Sequence, residues 1–200
     1  MKSKAWMVGM VSLAALGAGC AGNIDGQPDE SLVERTIVHR HADGTETVTT
    51  EEITAEEARA EVAAREQAAI GTTGQHTEAV TQDTGCGGAS TWLWDSTGQT
   101  GREICFYSDG TYGAGGGGFV NLRNYCRVRV PITINGKQYF LCRGYWSGAV
   151  RSYWAGSQGG YFEHSAAPNC TEYFSTYQKV DSAGSCAQSA DTLALNPILQ

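Results

Sequence analysis

The chain has 200 residues, with 26 Gly, 4 Pro, 7 Cys and a net charge of −7. That length suits one ordinary domain plus a small appendage, and no part is basic enough for a nucleic-acid footprint, so nucleic acid is not an expected partner. The charge is uneven: residues 21–85 hold fourteen Asp/Glu against four Arg and no Cys, Trp, Tyr or Phe, whereas residues 86–200 hold seven acids, eight Lys/Arg and six Cys. Two regions with different jobs are implied.

Lys2 and Lys4 precede an uncharged run from Ala5 to Gly19. The run has the length of a signal-peptide core and falls short of the roughly 20 apolar residues of a membrane-spanning helix. Gly17, Ala18 and Gly19 stand before Cys20, and the segment resembles a bacterial lipobox, which is cut before a cysteine that then receives lipid. It departs from that pattern in one place: Leu16 lies one residue earlier than the usual leucine, and Gly17 takes its position. The alternative is an ordinary secretory signal cut at the same small residues. Parity favours acylation, because seven cysteines cannot all pair within one chain. The resemblance implies a signal peptide over 1–19, and a lipidated Cys20 (a palmitate-bearing terminus) with a tether over 20–31. Ala21 is not the Asp of an inner-membrane retention signal, so the implied address is the outer membrane of a Gram-negative cell, on a face the sequence does not tell.

Residues 32–70 read as an acidic ββα unit. Val33, Ile37 and His39 share one face of a strand, Asp43-Gly44 is a hairpin turn signal, and Val48 with its threonines continues as a second strand. Thr54 and Glu57 have the spacing of a capping box, and Glu56 and Glu57 suit the positive end of a helix dipole. The helix runs to Gly71 with few large apolar residues, mainly Val62 and Ile70. The unit has little core of its own, and its acidic helix reads as a solvated face. Residues 71–85 lack periodicity and read as a linker.

Residues 86–200 form the six-cysteine domain. The spacings between Cys86, Cys105, Cys126, Cys142, Cys170 and Cys186 are 19, 21, 16, 28 and 16. These exclude close-set metal ligands and favour three disulfides in an oxidising compartment. Sequential pairing is the simplest of fifteen connectivities. Strands are expected at TWLW, REICFY, FVNL, CRVRVPITI and KQYFLC. Asn135-Gly136 is a two-residue hairpin signal, and Pro131 places its strand at an edge. That turn sets Cys142 opposite Arg129, so a Cys126–Cys142 bond requires a bulge or a frayed ladder. The glycine run over 113–118 lacks the lysine and helix of a phosphate-binding loop. The last segment, AQSADTLALNPILQ, reads either as a final strand or as a loose end.

WLWDSTGQTGREICFY resembles the opening of a βγ-crystallin Greek-key motif. Trp94 and Gly101 fit its first and last places, Asp95 fits the acidic second place, and Gln99 stands where an aromatic belongs. WSGAVRSYW resembles the later part, in which a serine ties down the folded hairpin, and Ser152 would be that serine. The resemblance covers about residues 86–165. It implies a mainly β, disulfide-stapled Greek-key β-sandwich, similar also to small secreted metalloprotease inhibitors. It implies no calcium site, because Ser147, Gly148 and Arg151 occupy the places where oxygen-rich relatives carry their ligands.

The sequence carries no H-E-x-x-H or G-x-S-x-G, and a protein without catalytic residues, cofactor or metal is expected. His39, His41, His76 and His164 sit apart, and Glu103 and Asp109 are only a generic carboxylate pair. The expected role is a binding or structural module for a protein or glycan, with inhibition of a secreted protease as the alternative. Candidate ligand contacts are Trp146 and Tyr153, with Arg143 and Arg151 beside them for cation–π or carboxylate contacts. Trp94, Phe106 and Trp154 are expected in the core.

Overall fold

A computed structural model describes residues 31–41, 43–70, 86–108, 118–157 and 159–196. The chain is mainly β. The elements are β1 (Leu32–Arg40), β2 (Glu46–Thr54), α1 (Ala55–Ile70), β3 (Thr91–Ser96), β4 (Thr100–Ser108), β5 (Gly118–Asn121), β6 (Cys126–Ile134), β7 (Lys137–Tyr145), β8 (Ser152–Trp154), β9 (Gly159–His164), β10 (Ala167–Phe174), β11 (Lys179–Val180), α2 (Ser185–Ser189) and β12 (Thr192–Asn196). The glycine run at 113–117, Cys20, His76 and Asp109 lie outside the described residues.

Two sheets carry the body. One has the order β11-β8-β3-β4-β1-β2, the other β10-β9-β12-β5, and β6-β7 form a separate two-stranded ribbon. Their shared core takes Leu93, Ile104, Phe106 and Tyr153 from the first sheet and Val120, Phe162, Leu193 and Leu195 from the second. Two strand quartets weave the sheets together. In the first, β8, β3 and β4 lie side by side while β5 crosses to the second sheet. In the second, β12, β9 and β10 lie side by side while β11 crosses to the first. Within the C-terminal segment Thr192–Asn196 form a strand, with β12 held between β9 and β5.

The larger sheet is buried on both faces, because alternate residues of a strand point to opposite sides. Leu93 and Tyr153 enter the shared core, while Trp92, Trp94, Cys105 and Trp154 form a second apolar layer behind it. Trp94, Phe106 and Trp154 are all buried, as expected. Each large side chain removed from water contributes roughly 1.5–3 kcal/mol, so the nine buried aromatic residues compensate for a body with few Leu and Ile.

The ββα segment is built into this body. β1 pairs antiparallel with β2 and parallel with β4, from Arg35↔Glu103 to Arg40↔Ser108. An interior strand has both faces covered, so its core residue is Val38, on the face opposite Val33, Ile37 and His39. β2, with its threonines and glutamates, closes the sheet as a charged edge that discourages further pairing. The capping box forms as expected: Glu57 N–H donates to Thr54 Oγ1 at 3.1 Å, and Thr54 N–H donates back to Glu57 Oε2 at 2.9 Å. The helix is not simply a solvated face, because Val62 and Arg65 pack against the tryptophan layer.

The disulfides join Cys86–Cys105, Cys126–Cys142 and Cys170–Cys186. The ribbon meets the geometric demand on the second of these. Its ladder is regular from Ile134↔Lys137 to Arg129↔Cys142, then shifts register twice between Arg129 and Cys126. Asn135 and Gly136 have φ of 51° and 76°, the left-handed pair of a tight hairpin turn. Pro131 lies opposite Phe140 in this ribbon, where each strand has an unpaired outer edge.

The β3–β4 hairpin folds over and is tied at its root. Ser152 is fully buried; its hydroxyl donates to the Ser96 carbonyl at 2.7 Å and accepts from Gln99 N–H at 2.9 Å. Gly101 has φ +82°, and a Cβ there would run into the Asp95 carboxylate. In the second quartet Asp191 does a related task, accepting from Ser165 N–H at 3.0 Å at the β9–β10 turn. Burial alone would raise the Asp191 pKa, but the hydrogen bonds from Ser165 and Thr192 and the nearby Arg123 charge outweigh it and hold it low. Ser152→Ala should cost about 1–3 kcal/mol in chemical denaturation, since both hairpin groups lose a buried partner.

Candidate binding surfaces

The four expected ligand contacts do not converge. Trp146 and Tyr153 are 1% and 2% exposed and belong to the shared core, so neither presents a face to a ligand arriving from solvent. The Tyr153 hydroxyl meets Glu172 at 3.2 Å, and burial together with that carboxylate pushes its pKa up. Arg151 is held by carbonyls: its Nη1 donates to Gly148, Val150 and Gln188 oxygens at 3.0–3.4 Å. Arg143 alone of the four is exposed, on β7. Of the adjacent aromatic pairs, Tyr145-Trp146 and Tyr173-Phe174 each leave one ring exposed and one buried, whereas Tyr153 and Trp154 are both buried, one in each apolar layer.

A charged cluster lies between α1 and the larger sheet. Glu103 on β4 is fully buried. Its Oε1 accepts from Arg35 Nε at 2.5 Å, and its Oε2 accepts from the Trp94 indole N–H at 2.8 Å. Arg35 reaches on to Glu61 of α1 at 2.6 Å. Burial works against the Arg35 charge, but the Glu103 and Glu61 carboxylates outweigh it and raise its pKa. Arg65 lies 3.9 Å from the Trp92 ring centre, a cation–π contact that docks the helix. Burial pushes the Arg65 pKa down to about 10, which still leaves it charged at neutral pH. Lys179 at 2.5 Å from Glu66 closes the far side of the helix. Both oxygens of Glu103 are engaged, so the carboxylate holds structure instead of offering itself as an acid or base. Nothing in the sequence marked Arg35 or Glu103 for this pairing, since their strands are parallel neighbours from distant segments.

The histidines stay apart from this cluster. His39 stacks on Tyr107 with ring centres 4.2 Å apart, and His41 sits 4.1 Å from His39. His164 Nδ1 accepts from the Ala166 N–H at 3.1 Å. Among the described residues no group of three His, Cys, Asp or Glu could hold a metal ion.

The β6–β7 ribbon is the most apolar exposed feature. Its cross-strand pairs Val130↔Leu141, Ile132↔Tyr139 and Ile134↔Lys137 put five apolar side chains and one lysine on one face. Ile134, Tyr139 and Leu141 are 52%, 48% and 41% exposed, and none of the five belongs to a core cluster. The other face carries Arg129, Pro131, Thr133, Gln138 and Phe140. Residues 126–145 contain four cations, Arg127, Arg129, Lys137 and Arg143, and no acid, in a chain of net −7. Arg127 is bound to Asp95 at 2.8 Å at the ribbon's root. The sequence reading placed a hairpin here but did not single out its face, although the alternation Val130, Ile132, Ile134 was visible.

These features define a disulfide-stapled, mainly β protein with a detached apolar ribbon. No protein-family model, no curated protein and no solved structure matches the chain significantly.

Proposed function

We propose that this chain is a lipid-anchored protein of the cell envelope, whose stapled β body serves as a binding or structural module for a protein or glycan. Cys20 carries the acyl chains at the outer membrane, and residues 21–31 tether the body. The observation that supports this reading is the cysteine pairing. The six cysteines of the body close on one another, so the one left over is Cys20, at the place that resembles a lipobox. Disulfides also suit an oxidising compartment, and more than one acyl chain gives a stable anchor.

The body is read further as a pair of Greek keys of the βγ-crystallin kind. The mutual exchange of β5 and β11 supports this, as does the Ser152 hydroxyl tying the folded hairpin at the place the resemblance gives it. The ribbon and the β1–β2 pair are then additions to that plan.

The anchor is tested by growing the producing cells with an alkyne-tagged palmitate. The unsubstituted chain should take up label and sediment with membranes. Cys20→Ser should lose the label and move to the soluble fraction. An unlabelled, soluble unsubstituted chain would remove the anchor and leave a freely secreted module.

A further inference from the structure

We propose that the β6–β7 ribbon is a second membrane contact, laid flat on an anionic lipid surface through the face built from Val130, Ile132, Ile134, Tyr139 and Leu141. The proposal rests on the envelope address given above. Three observations carry it. The face is contiguous and left out of both cores, with Ile134, Tyr139 and Leu141 exposed and Val130 and Ile132 half-buried, and a monomeric body rarely leaves such a patch without a purpose. The ribbon carries no acid, and although Arg127 is bound to Asp95 and Arg129 acts on Glu34, Lys137 and Arg143 remain, so its charge complements anionic headgroups. Lys137 and Arg143 make no ion pair with any described residue, and Lys137 borders the apolar face. A lysine beside a tyrosine at the edge of an apolar surface suits the boundary between acyl chains and headgroups, where the ring and the lysine stem bury and the ammonium stays wet.

The same charges speak against a second copy of this chain as the occupant. Two ribbons face to face would bring two copies of Lys137 into the contact with no acid on either ribbon to pair them. The geometry also sets the depth. No other described strand pairs with either outer edge of the ribbon, and backbone N–H and C=O groups cannot enter hydrocarbon without hydrogen-bond partners. The ribbon therefore lies at headgroup level and does not span. The Cys126–Cys142 bond holds its root, and the Arg127–Asp95 pair fixes it to the body.

The test uses the exported chain carrying Cys20→Ser, so that no acyl chain contributes. Its binding is measured by co-sedimentation with mixed phosphatidylcholine–phosphatidylglycerol vesicles and with pure phosphatidylcholine vesicles. Binding is expected to the mixed vesicles and to weaken as salt rises. The double change Tyr139→Ser with Leu141→Ser should lower the partition coefficient at least about tenfold. Lys137→Gln with Arg143→Gln should lower it by a similar factor on mixed vesicles only. Both pairs lie outside the cores, so thermal unfolding should stay unchanged and certify the fold. No binding to either vesicle, or equal binding by the substituted chains, overturns the proposal. So does a photo-crosslinker at position 139 that captures one envelope protein while vesicles are ignored, which would make the face a protein dock. Palmitate labelling reports separately. A labelled chain whose Cys20→Ser form ignores vesicles loses only the ribbon contact, and a vesicle-binding chain without label loses only the anchor.

Discussion

Glu103→Ala should destabilise the protein by about 3–5 kcal/mol, measured by chemical denaturation, while leaving the three disulfides formed. The change leaves Arg35 without its main counter-charge in a buried layer, and removing one partner of a buried pair costs this much because the other charge stays behind. Arg35 retains Glu61, at 2.6 Å on the helix, and Glu51, at 3.4 Å, so the loss falls short of full isolation. The Trp94 indole N–H loses its acceptor as well, which adds the cost of a buried donor without a partner. Glu103→Gln separates the two contributions. The amide oxygen still accepts one hydrogen bond but carries no charge, so its cost should be intermediate. The α1 helix should also loosen, since Glu103 fixes the Arg35 that Glu61 grips. Hydrogen exchange over residues 55–67 should then rise in Glu103→Ala more than over β9 or β12.

Trp146→Ala should cost about 3–5 kcal/mol of stability, the range of a large aromatic deletion that leaves a cavity. Were this ring a ligand contact on the surface, the substitution would weaken binding and spare the fold. Its burial in the shared core reverses that expectation. Trp146→Phe distinguishes packing from polarity. The indole Nε1 of Trp146 is buried with no hydrogen-bond partner among the described residues, so a phenyl ring removes a costly polar group together with part of the volume. Its cost should be well below that of alanine. A Trp146→Ala chain with unchanged denaturation midpoint would show that the ring is not in the core.

Much of the fold was legible where local chemistry decides it. Asn135-Gly136 gave the ribbon and its register, because few residues other than Asn and Gly adopt two successive left-handed conformations. Thr54 and Glu57 gave the start of the helix for a similarly local reason. The pairing of the disulfides was readable only as the simplest option. Its decisive feature, the double register shift near Val128, leaves no mark in the residue order. What stayed hidden was long-range. β1 and β4 are parallel partners separated by a helix and a linker, so the charged contact of Arg35 with Glu103 could not be foreseen from either segment. Arg65 looked like one more charge on a solvated helix, and only the tryptophan layer beneath it gives it a role. Tyr153 illustrates a third limit. An extended chain puts neighbouring rings on opposite sides of a sheet, and residue order does not say which side meets solvent. In this body the larger sheet is covered on both faces, by the second sheet and by α1, and that depends on how distant segments stack.

The order of the staples along the chain bears on how the protein is made. Each cysteine of the body bonds the next one in sequence, closing loops of 19, 16 and 16 residues. For a chain threaded through a membrane N-terminus first, the two thiols of each bond emerge one after the other, before any thiol of the next bond appears. With Cys20 occupied by lipid as proposed, an oxidant that joins whatever pair is newest makes the native set, and no wrong bridge has to be undone by exchange. The strand β1 has the opposite schedule. It emerges first and waits for β4, the strand that also carries Cys105, so β1 finds its partner only as the first staple becomes able to close.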